Sequence, residues 1–288
     1  MTEPVARRTA LAAALCAALA AAGCSAAGRV PAGDARGRGS LDGVSWEALA
    51  ELSASVAAAP DDASADALAA EAGIVGADGL ISTAARKGFE LADGTPCSAR
   101  VVGIRHDRAP GGGLAGLTFW VDSPIAYRGV TDGEDVSGGW EDCGLRSWLG
   151  GDALGMLPGD LAGLLRPALK RSAATGGAVV ETEDALWLPS EAELAGEQWV
   201  RERYPDPGPY LDEGSPYRYF SERAADPAAL QSSLVVRDGA SGAWQGWWER
   251  TVCPDGDGFL FRWSTGAHTV AIDCAPNFEL GVVPCFCL

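Results

Sequence analysis

Hydrophobic residues follow a helical period near the start of the chain. They recur at three- or four-residue spacing at Trp46, Leu49, Leu52 and Val56. This spacing predicts a helix, and Ser45 stands at the position of an N-cap. The segment from Asp61 to Ala72 repeats the helical pattern and ends at Gly73. We interpret the two segments as a helical pair that is too short to be stable alone.

From about Gly88 onward the pattern changes to short alternating runs. Residues 99–104 and 116–121 are predicted strands, joined by a glycine-rich loop. Alternation of Phe259, Phe261 and Trp263 before a turn predicts a hairpin that continues to residue 272. Residues 281–288 are a predicted last strand, in which Pro284 indicates an edge or a bulge.

The middle of the chain has weaker patterns. Residues 158–165 predict a short helix, and residues 186–189 a short strand. Ser190 then begins a capping box that starts another helix. Residues 200–246 are rich in Pro, Tyr, Asp and Ser and show no sustained period, so we predict a long loop there.

The segment Gly138–Gly151, GGWEDCGLRSWLGG, concentrates large side chains between glycines. A short helix beginning at Glu141 or Asp142 would place three side chains on one face, those of Leu145, Trp148 and Leu149. We therefore predict that this segment fills the core. The glycines would end the helix.

The N-terminus has the composition of an export signal. Arg7 and Arg8 precede an apolar run, residues 9–22, whose length suits a signal peptide better than a membrane-spanning helix. Small residues then lead to Cys24, as at a bacterial lipid-attachment site. We predict a lipoprotein signal peptide over residues 1–23, with an ordinary signal peptide as the alternative. Residues 24–43 are small, polar and glycine-rich, which predicts a flexible tether.

Charge excludes one class of partner. Five of the 22 basic and two of the 39 acidic residues lie in the first 40 positions, which leaves 17 basic and 37 acidic residues in positions 41–288. An acidic surface of this kind repels nucleic acid and anionic lipid. We expect no nucleic-acid partner, and contact with the membrane only through the lipid anchor.

Six cysteines remain after those of the predicted leader and lipid site. Because the protein is predicted to be exported, these cysteines are candidates for disulfide bonds. The sequence does not determine which cysteines pair. Cys253 and Cys274 would meet if they bracket the hairpin, whereas Cys285 and Cys287 would share one face of a strand. Their spacing does not predict zinc. The six candidates are Cys97, Cys143, Cys253, Cys274, Cys285 and Cys287.

Five segments in succession carry a family resemblance. They are GGWEDCGLRSWLG, ALWLPSEAEL, SPYRYF, WWERTV and GVVPCFCL. In this order they resemble the bacterial domain-of-unknown-function family 6273, whose members show GGWxxSxLRxWLN, WLRSP and GVRPAF. The resemblance runs from about residue 81 to the C-terminus. It implies a distant relation to the formylglycine-generating-enzyme branch of the C-type-lectin-like fold, and it supplies no catalytic residues.

Sequence motifs for catalysis and metal binding are sparse. Only His106 and His268 are available as histidine bases, and neither belongs to a recognised catalytic motif, so we predict no catalytic residue. No metal site or cofactor is predicted. Calcium is the one alternative, because acidic turns at residues 132–135 and 255–258 crowd carboxylates together. Flat aromatic rings can stack on sugars or peptides. The candidate ligand-binding residues are therefore Trp244, Trp247, Trp248 and Trp263.

Together these features predict an α+β protein with short helices, small antiparallel sheets and long loops. A helical segment, residues 44–80, would precede a lectin-like domain over residues 81–288. We expect an acidic, exported cell-surface protein that is lipid-anchored on the extracytoplasmic face of the membrane and binds a glycan or a protein without catalysis. Two alternatives stay open: a cell-envelope oxidoreductase or hydrolase that uses cysteines or carboxylates, and a structural surface subunit.

Overall fold

The two predicted N-terminal helices are present. The computed structural model describes residues 40–131, 135–253, 258–265, 268–274 and 278–288, without the side chains of 265 and 268–274. Helix α1 spans Trp46–Ala57, and the Ser45 side chain accepts a hydrogen bond from the Ala48 amide at 3.2 Å. Helix α2 spans Asp62–Glu71 and is capped by Asp61. The predicted Ser45 cap is therefore correct.

Eleven strands and eight further helices lie in the described residues. The strands are β1 (Arg86–Glu90), β2 (Pro96–Ile104), β3 (Leu117–Val121), β4 (Ala126–Arg128), β5 (Ala168–Ala173), β6 (Val179–Asp184), β7 (Gly246–Val252), β8 (Phe259–Thr265), β9 (His268–Cys274), β10 (Leu280–Val282) and β11 (Cys285–Cys287). The helices are α3 (Gly139–Asp142), α4 (Gly144–Leu149), α5 (Gly159–Ala162), α6 (Glu191–Leu194), α7 (Glu197–Arg203), α8 (Gly208–Leu211), α9 (Arg218–Ser221) and α10 (Pro227–Ser233). A 3₁₀ helix spans Asp152–Met156.

The strands form small sheets. One sheet has the order β1-β2-β3-β11 and is antiparallel throughout. The second has the order β4-β10-β7-β8-β9, in which only the β10–β7 pair is parallel. Strands β5 and β6 form a separate hairpin. The fold class is therefore α+β with small sheets and short helices, as predicted.

Helix α1 packs on the first sheet and shares its core. The Trp46 ring meets Phe89, Phe119 and Phe286 edge-on, with centroids about 6 Å apart. The Ser53 hydroxyl donates to the Leu288 carbonyl at 2.5 Å. Burial of such rings stabilises the domain by roughly 1.5–3 kcal/mol each. The N-terminal helices thus belong to the same compact unit as the sheets.

Gly116 permits this close approach. A Cβ atom there would lie 1.8 Å from the Ser53 carbonyl oxygen. Any larger residue would therefore push α1 away from β3.

The prediction of a long loop over residues 200–246 is wrong. The segment contains the end of α7 and all of α8, α9 and α10. These helices are four to seven residues long, too short to show a period in the sequence. Tyr217, Tyr219 and Phe220 are buried there, so tertiary packing stabilises what local sequence does not.

Two predicted strands also differ from the structure. Residues 186–189 form only a single bridge, from Trp187 to Cys285. The predicted last strand is divided at Pro284, and its two halves, β10 and β11, belong to different sheets. Proline lacks the amide that a continuous ladder needs. The predicted hairpin is confirmed as β8 and β9.

Gly138–Gly151 fills the core largely as predicted. It forms α3 and α4, and Leu145 and Leu149 are buried at 1% and 0% exposure. Trp148 differs, because it is half-buried beneath the Arg128 guanidinium, 4.8 Å from its ring centroid. Trp140 is fully buried instead, and its ring nitrogen donates to Asp184 at 3.0 Å.

Within the part of the chain that the structure describes, we find no helix that is both long enough and apolar enough to span a bilayer.

Candidate functional site

Charged side chains from distant segments meet at the centre of the domain. We call this set the buried charge network; it comprises three cations and five carboxyl groups, each at most 5% exposed. Burial of charge is costly unless every group is paired. The members are Asp107, Lys170, Glu191, Glu193, Glu213, Glu249, Arg250 and Arg262.

Lys170 on β5 lies between two carboxylates. Its Nζ atom is 2.6 Å from Asp107 Oδ1 and also contacts Glu193 Oε1. The Tyr217 hydroxyl lies 3.3 Å from the same nitrogen. The Trp187 ring centroid is 5.0 Å away, so apolar rings close the remaining side.

Arg250 on β7 holds the other oxygen of Glu193, with Nη1 2.5 Å from Oε2. Its remaining donors bond the Ser172 hydroxyl and the carbonyls of Leu188, Arg171 and Glu213. Every donor atom of this fully buried guanidinium therefore has a partner. The capping box at Ser190 is present and aims Glu193 inward.

The network controls the protonation of its own members. Burial alone would raise the pKa of Glu193, but Arg250 and Lys170 outweigh it and lower the pKa to about 2. Burial raises the pKa of Glu213 to about 7 and that of Glu249 well above its usual range. Burial therefore favours the neutral form of Glu213 and Glu249, which reduces the excess of carboxyl groups over cations in the network.

Arg262 pairs with two further carboxyl groups of the buried charge network. It contacts Glu191 and lies 2.6 Å from Glu249. Thr251 connects Glu191 to Glu213, because its hydroxyl donates to Glu213 Oε2 at 2.5 Å and accepts from the Glu191 amide at 3.0 Å.

His106, Asp107 and Glu193 are a group with metal-ligand spacing in the described residues, since their ligand atoms lie within 4.8 Å of one another. The Lys170 ammonium already pairs with both Asp107 and Glu193. Burial lowers the pKa of half-buried His106. The donor set therefore favours an internal ion pair over a bound cation. The predicted calcium turns fall largely on residues 132–134 and 254–257, outside the described residues.

The predicted disulfides are not found at three of the six cysteines. Cys143, Cys285 and Cys287 are free, buried thiols. Burial raises the pKa of Cys143 to about 12 and those of Cys285 and Cys287 well above the usual range. Cys97 and Cys253 are also buried. The predicted Cys253–Cys274 pair involves a side chain outside the described residues.

An exposed tryptophan stands at the protein surface on a short turn. We call residues 236–245 the tryptophan turn. Trp244 is 48% exposed, and the Arg237 guanidinium lies 5.3 Å from its ring centroid. Asp238 fixes the turn, because Oδ1 accepts from the Ala240 and Ser241 amides at 3.1 and 2.7 Å.

The tryptophan turn is tied to the second sheet. The Tyr127 hydroxyl on β4 donates to Asp238 Oδ2 at 2.9 Å, and the Tyr127 side chain is itself exposed. Gly239 packs so tightly that a Cβ atom would lie 1.9 Å from the Pro96 carbonyl oxygen. Aromatic and charged groups are thus presented on an ordered backbone.

The four predicted ligand-binding tryptophans occupy different environments. Trp247 and Trp248 are fully buried, so neither offers a ring face to a ligand, and we correct the prediction at these two positions. Their alternation on β7 does not give one exposed ring, because both faces of that strand are covered. Trp263 is half-buried over Gly246, and Trp244 is exposed. Tyr127, Arg237 and Asp238 were missed, because neither a three-residue strand nor a polar turn shows a hydrophobic pattern.

Two surface depressions lie elsewhere. One of about 600 Å³ runs along α7 and is lined by Glu197, Gln198, Arg201 and Glu202. The other, about 430 Å³, is lined by residues between 76 and 83 together with Arg223. Neither includes His106 or the C-terminal cysteines.

The fold and the tryptophan turn define an α+β protein with a buried ionic core and an ordered aromatic surface. Residues 116–288 match the family model described as Domain of unknown function (DUF6273), and the chain belongs to this family. Strands β1 and β2 precede the matched region but complete the same sheet as β3. No curated protein and no solved structure matches the chain.

Proposed function

We propose that this protein is an exported, lipid-anchored cell-envelope protein that binds a glycan, without catalysis, through the tryptophan turn. The observation that carries the proposal is the 48% exposed Trp244 ring, held on an ordered turn beside Arg237. Sugar rings stack on flat aromatic surfaces, and guanidinium groups donate to hydroxyls. Little side-chain entropy is lost when such a site binds.

The C-type-lectin-like fold is part of the proposal. Two small sheets, short helices and long connections are in keeping with it. In that fold the loop-rich face binds ligands, and the tryptophan turn is an irregular surface segment of this kind.

Buried thiols support a non-catalytic role. A cysteine nucleophile reacts as an accessible thiolate. Cys285 and Cys287 are at most 1% exposed, and burial raises the pKa of each. The enzyme alternative therefore lacks an accessible nucleophile at these two positions.

Binding of the full chain to an immobilised panel of oligosaccharides and peptidoglycan fragments tests the proposal. Trp244→Ala should weaken binding at least about tenfold, the loss typical of a stacked aromatic residue. Trp199→Ala is the matched control, because Trp199 is 41% exposed on α7, outside the tryptophan turn, and should bind as the parent does. Equal binding by all three proteins would reject the site. Binding of a purified envelope protein instead of any glycan would indicate a protein ligand.

Anchoring is tested separately. Cys24→Ala should abolish incorporation of labelled fatty acid into the protein, because the thiol that receives the lipid is gone. Equal fatty-acid labelling of the variant and the parent would contradict lipidation at Cys24.

A further inference from the structure

Lysine is rare in this chain, and one of its lysines occupies an unusual place. The 288 residues include two lysines, Lys87 and Lys170, against 20 arginines. Arginine is the usual residue for buried ion pairs, because its guanidinium is weakly hydrated and forms paired hydrogen bonds. Lys170 is buried between two carboxylates nevertheless. Unlike a guanidinium, an amine can lose a proton and act as a nucleophile. Burial alone would lower the pKa of Lys170, but Asp107 and Glu193 outweigh burial and raise it, so the resting form is the ammonium.

The contacts of Lys170 bring three reactive groups together in a buried site. The side chains of Lys170, Asp107 and Glu193 are 4%, 2% and 1% exposed. Lys170 Nζ lies 2.6 Å from an oxygen of Asp107, and Glu193 contacts the same nitrogen. An amine held against a carboxyl group reacts as an intramolecular pair, with a large gain from proximity.

We propose that Lys170 and Asp107 form an intramolecular isopeptide bond between Nζ and the side-chain carbonyl carbon, with Glu193 as the proton carrier. The bond would join β5 to the segment after β2, which are 63 residues apart in sequence.

The reaction balances without an oxidant or a co-reactant. Glu193 takes one proton from the Lys170 ammonium, and the neutral amine attacks the Asp107 carboxyl carbon while Glu193 returns that proton to Asp107 Oδ1. Glu193 then takes a second proton from the nitrogen and delivers it to the same oxygen, which leaves as water. The product is an amide with one proton on nitrogen, and Glu193 ends as the carboxylate it was at the start.

Neighbouring side chains support the attack, whereas the low pKa of Glu193, about 2, makes its uptake of the Lys170 proton the uphill step. Arg250 binds Glu193 Oε2, which leaves Oε1 directed at Lys170. The Thr118 hydroxyl donates to Asp107 Oδ2 at 2.6 Å, where negative charge develops on attack. The Tyr217 hydroxyl lies 3.3 Å from both Lys170 Nζ and Asp107 Oδ1, within reach of the moving protons. Burial keeps water from the finished amide.

Peptide mapping of the purified full chain tests the bond directly. We expect the peptide with Lys170 to be joined to the peptide with Asp107, at their summed mass less one water. Amine labelling of the denatured chain should modify the side chain of Lys87 and not that of Lys170, so Lys87 is an internal control. Separate peptides at their sequence masses, with Lys170 labelled, would overturn the proposal. A bond from Lys170 to Glu193 would also overturn it.

Three variants separate the bond from an ordinary buried ion pair. Lys170→Arg keeps the cation but cannot form the bond, and its peptides should be separate. Asp107→Asn should still cross-link, with ammonia leaving, and give a product of the same mass as the parent. Glu193→Gln should lack the bond, and circular dichroism reports whether this variant folds; a cross-link in it would overturn the role of Glu193. If Glu193→Gln does not fold, the parent and Asp107→Asn maps still decide whether the bond exists.

Discussion

Arg250 and Glu193 form an ion pair at 2.5 Å in which neither side chain is more than 1% exposed. The pair joins β7 to α6, and Glu193 extends the contact to Lys170 on β5. Three elements from separate parts of the chain are therefore held by one carboxylate. Its two oxygens contact different basic side chains, and loss of Arg250 would leave the Glu193 charge unpaired in the core.

Arg250→Met should destabilise the protein by about 3–5 kcal/mol, because Glu193 would remain buried without its strongest partner. Equilibrium unfolding in urea measures the loss. Arg201→Met is the matched control: Arg201 pairs with Glu197 on the surface, with side-chain exposures of 55% and 66%. Such exposed helical pairs contribute about 0.3–0.5 kcal/mol. Similar losses in the two variants would contradict a structural role for the buried pair.

Stability should fall as pH rises between the unfolded and folded pKa values of Glu213, about 4.5 and about 7. In this window the folded state retains a proton that the unfolded state has released, so the folded state is favoured at the acidic end. The shift corresponds to about 3 kcal/mol for this group. Urea unfolding across the window measures the slope.

Glu213→Gln provides the control for this slope. The amide has no proton to lose, so the dependence of unfolding free energy on pH should flatten. A remaining slope of the same sign is expected from Glu249, whose pKa burial also raises. An unchanged slope in Glu213→Gln would assign the effect to another group.

Local patterns predicted local structure well. The Ser45 cap of α1, helix α2, strand β3 and the β8–β9 hairpin depend on residues close in sequence, and the sequence pattern identified them. Helices α8–α10 were missed because each depends on tertiary packing of a few buried rings, such as that of Phe220. Pro284 itself indicated an irregularity in the last strand. Nothing in the sequence indicated that the segments before and after Pro284 belong to different sheets.

The candidate sites could be predicted only in part. Trp244 was one of four tryptophans predicted to bind a ligand, because flat rings on loops and strands can stack. The buried charge network was missed, because its members come from separate segments and charged residues are usually exposed. Arg250 lies within the matched WWERTV motif, yet no sequence feature shows that it is fully buried. The scarcity of lysine was the one visible signal for Lys170.

Gly239→Ala should weaken glycan binding without removing any polar or aromatic group. The added Cβ would lie 1.9 Å from the Pro96 carbonyl oxygen, so the tryptophan turn must move away from the strand. Glycan titration measures the affinity, with Gly111→Ala as the control because a Cβ atom there has no neighbour within 4 Å. Parental affinity in Gly239→Ala would show that the position of the turn does not matter for binding.

Cys143, Cys285 and Cys287 should resist a thiol reagent in the folded protein and react at once after denaturation. All three are at most 5% exposed, and burial raises their pKa values, that of Cys143 to about 12, so thiolate is scarce at neutral pH. Peptide mapping after labelling under native and denaturing conditions assigns the reaction to each residue. Rapid labelling of Cys285 or Cys287 in the native protein would contradict their burial and favour the enzyme alternative, because an accessible thiolate is what a redox or nucleophilic cysteine requires.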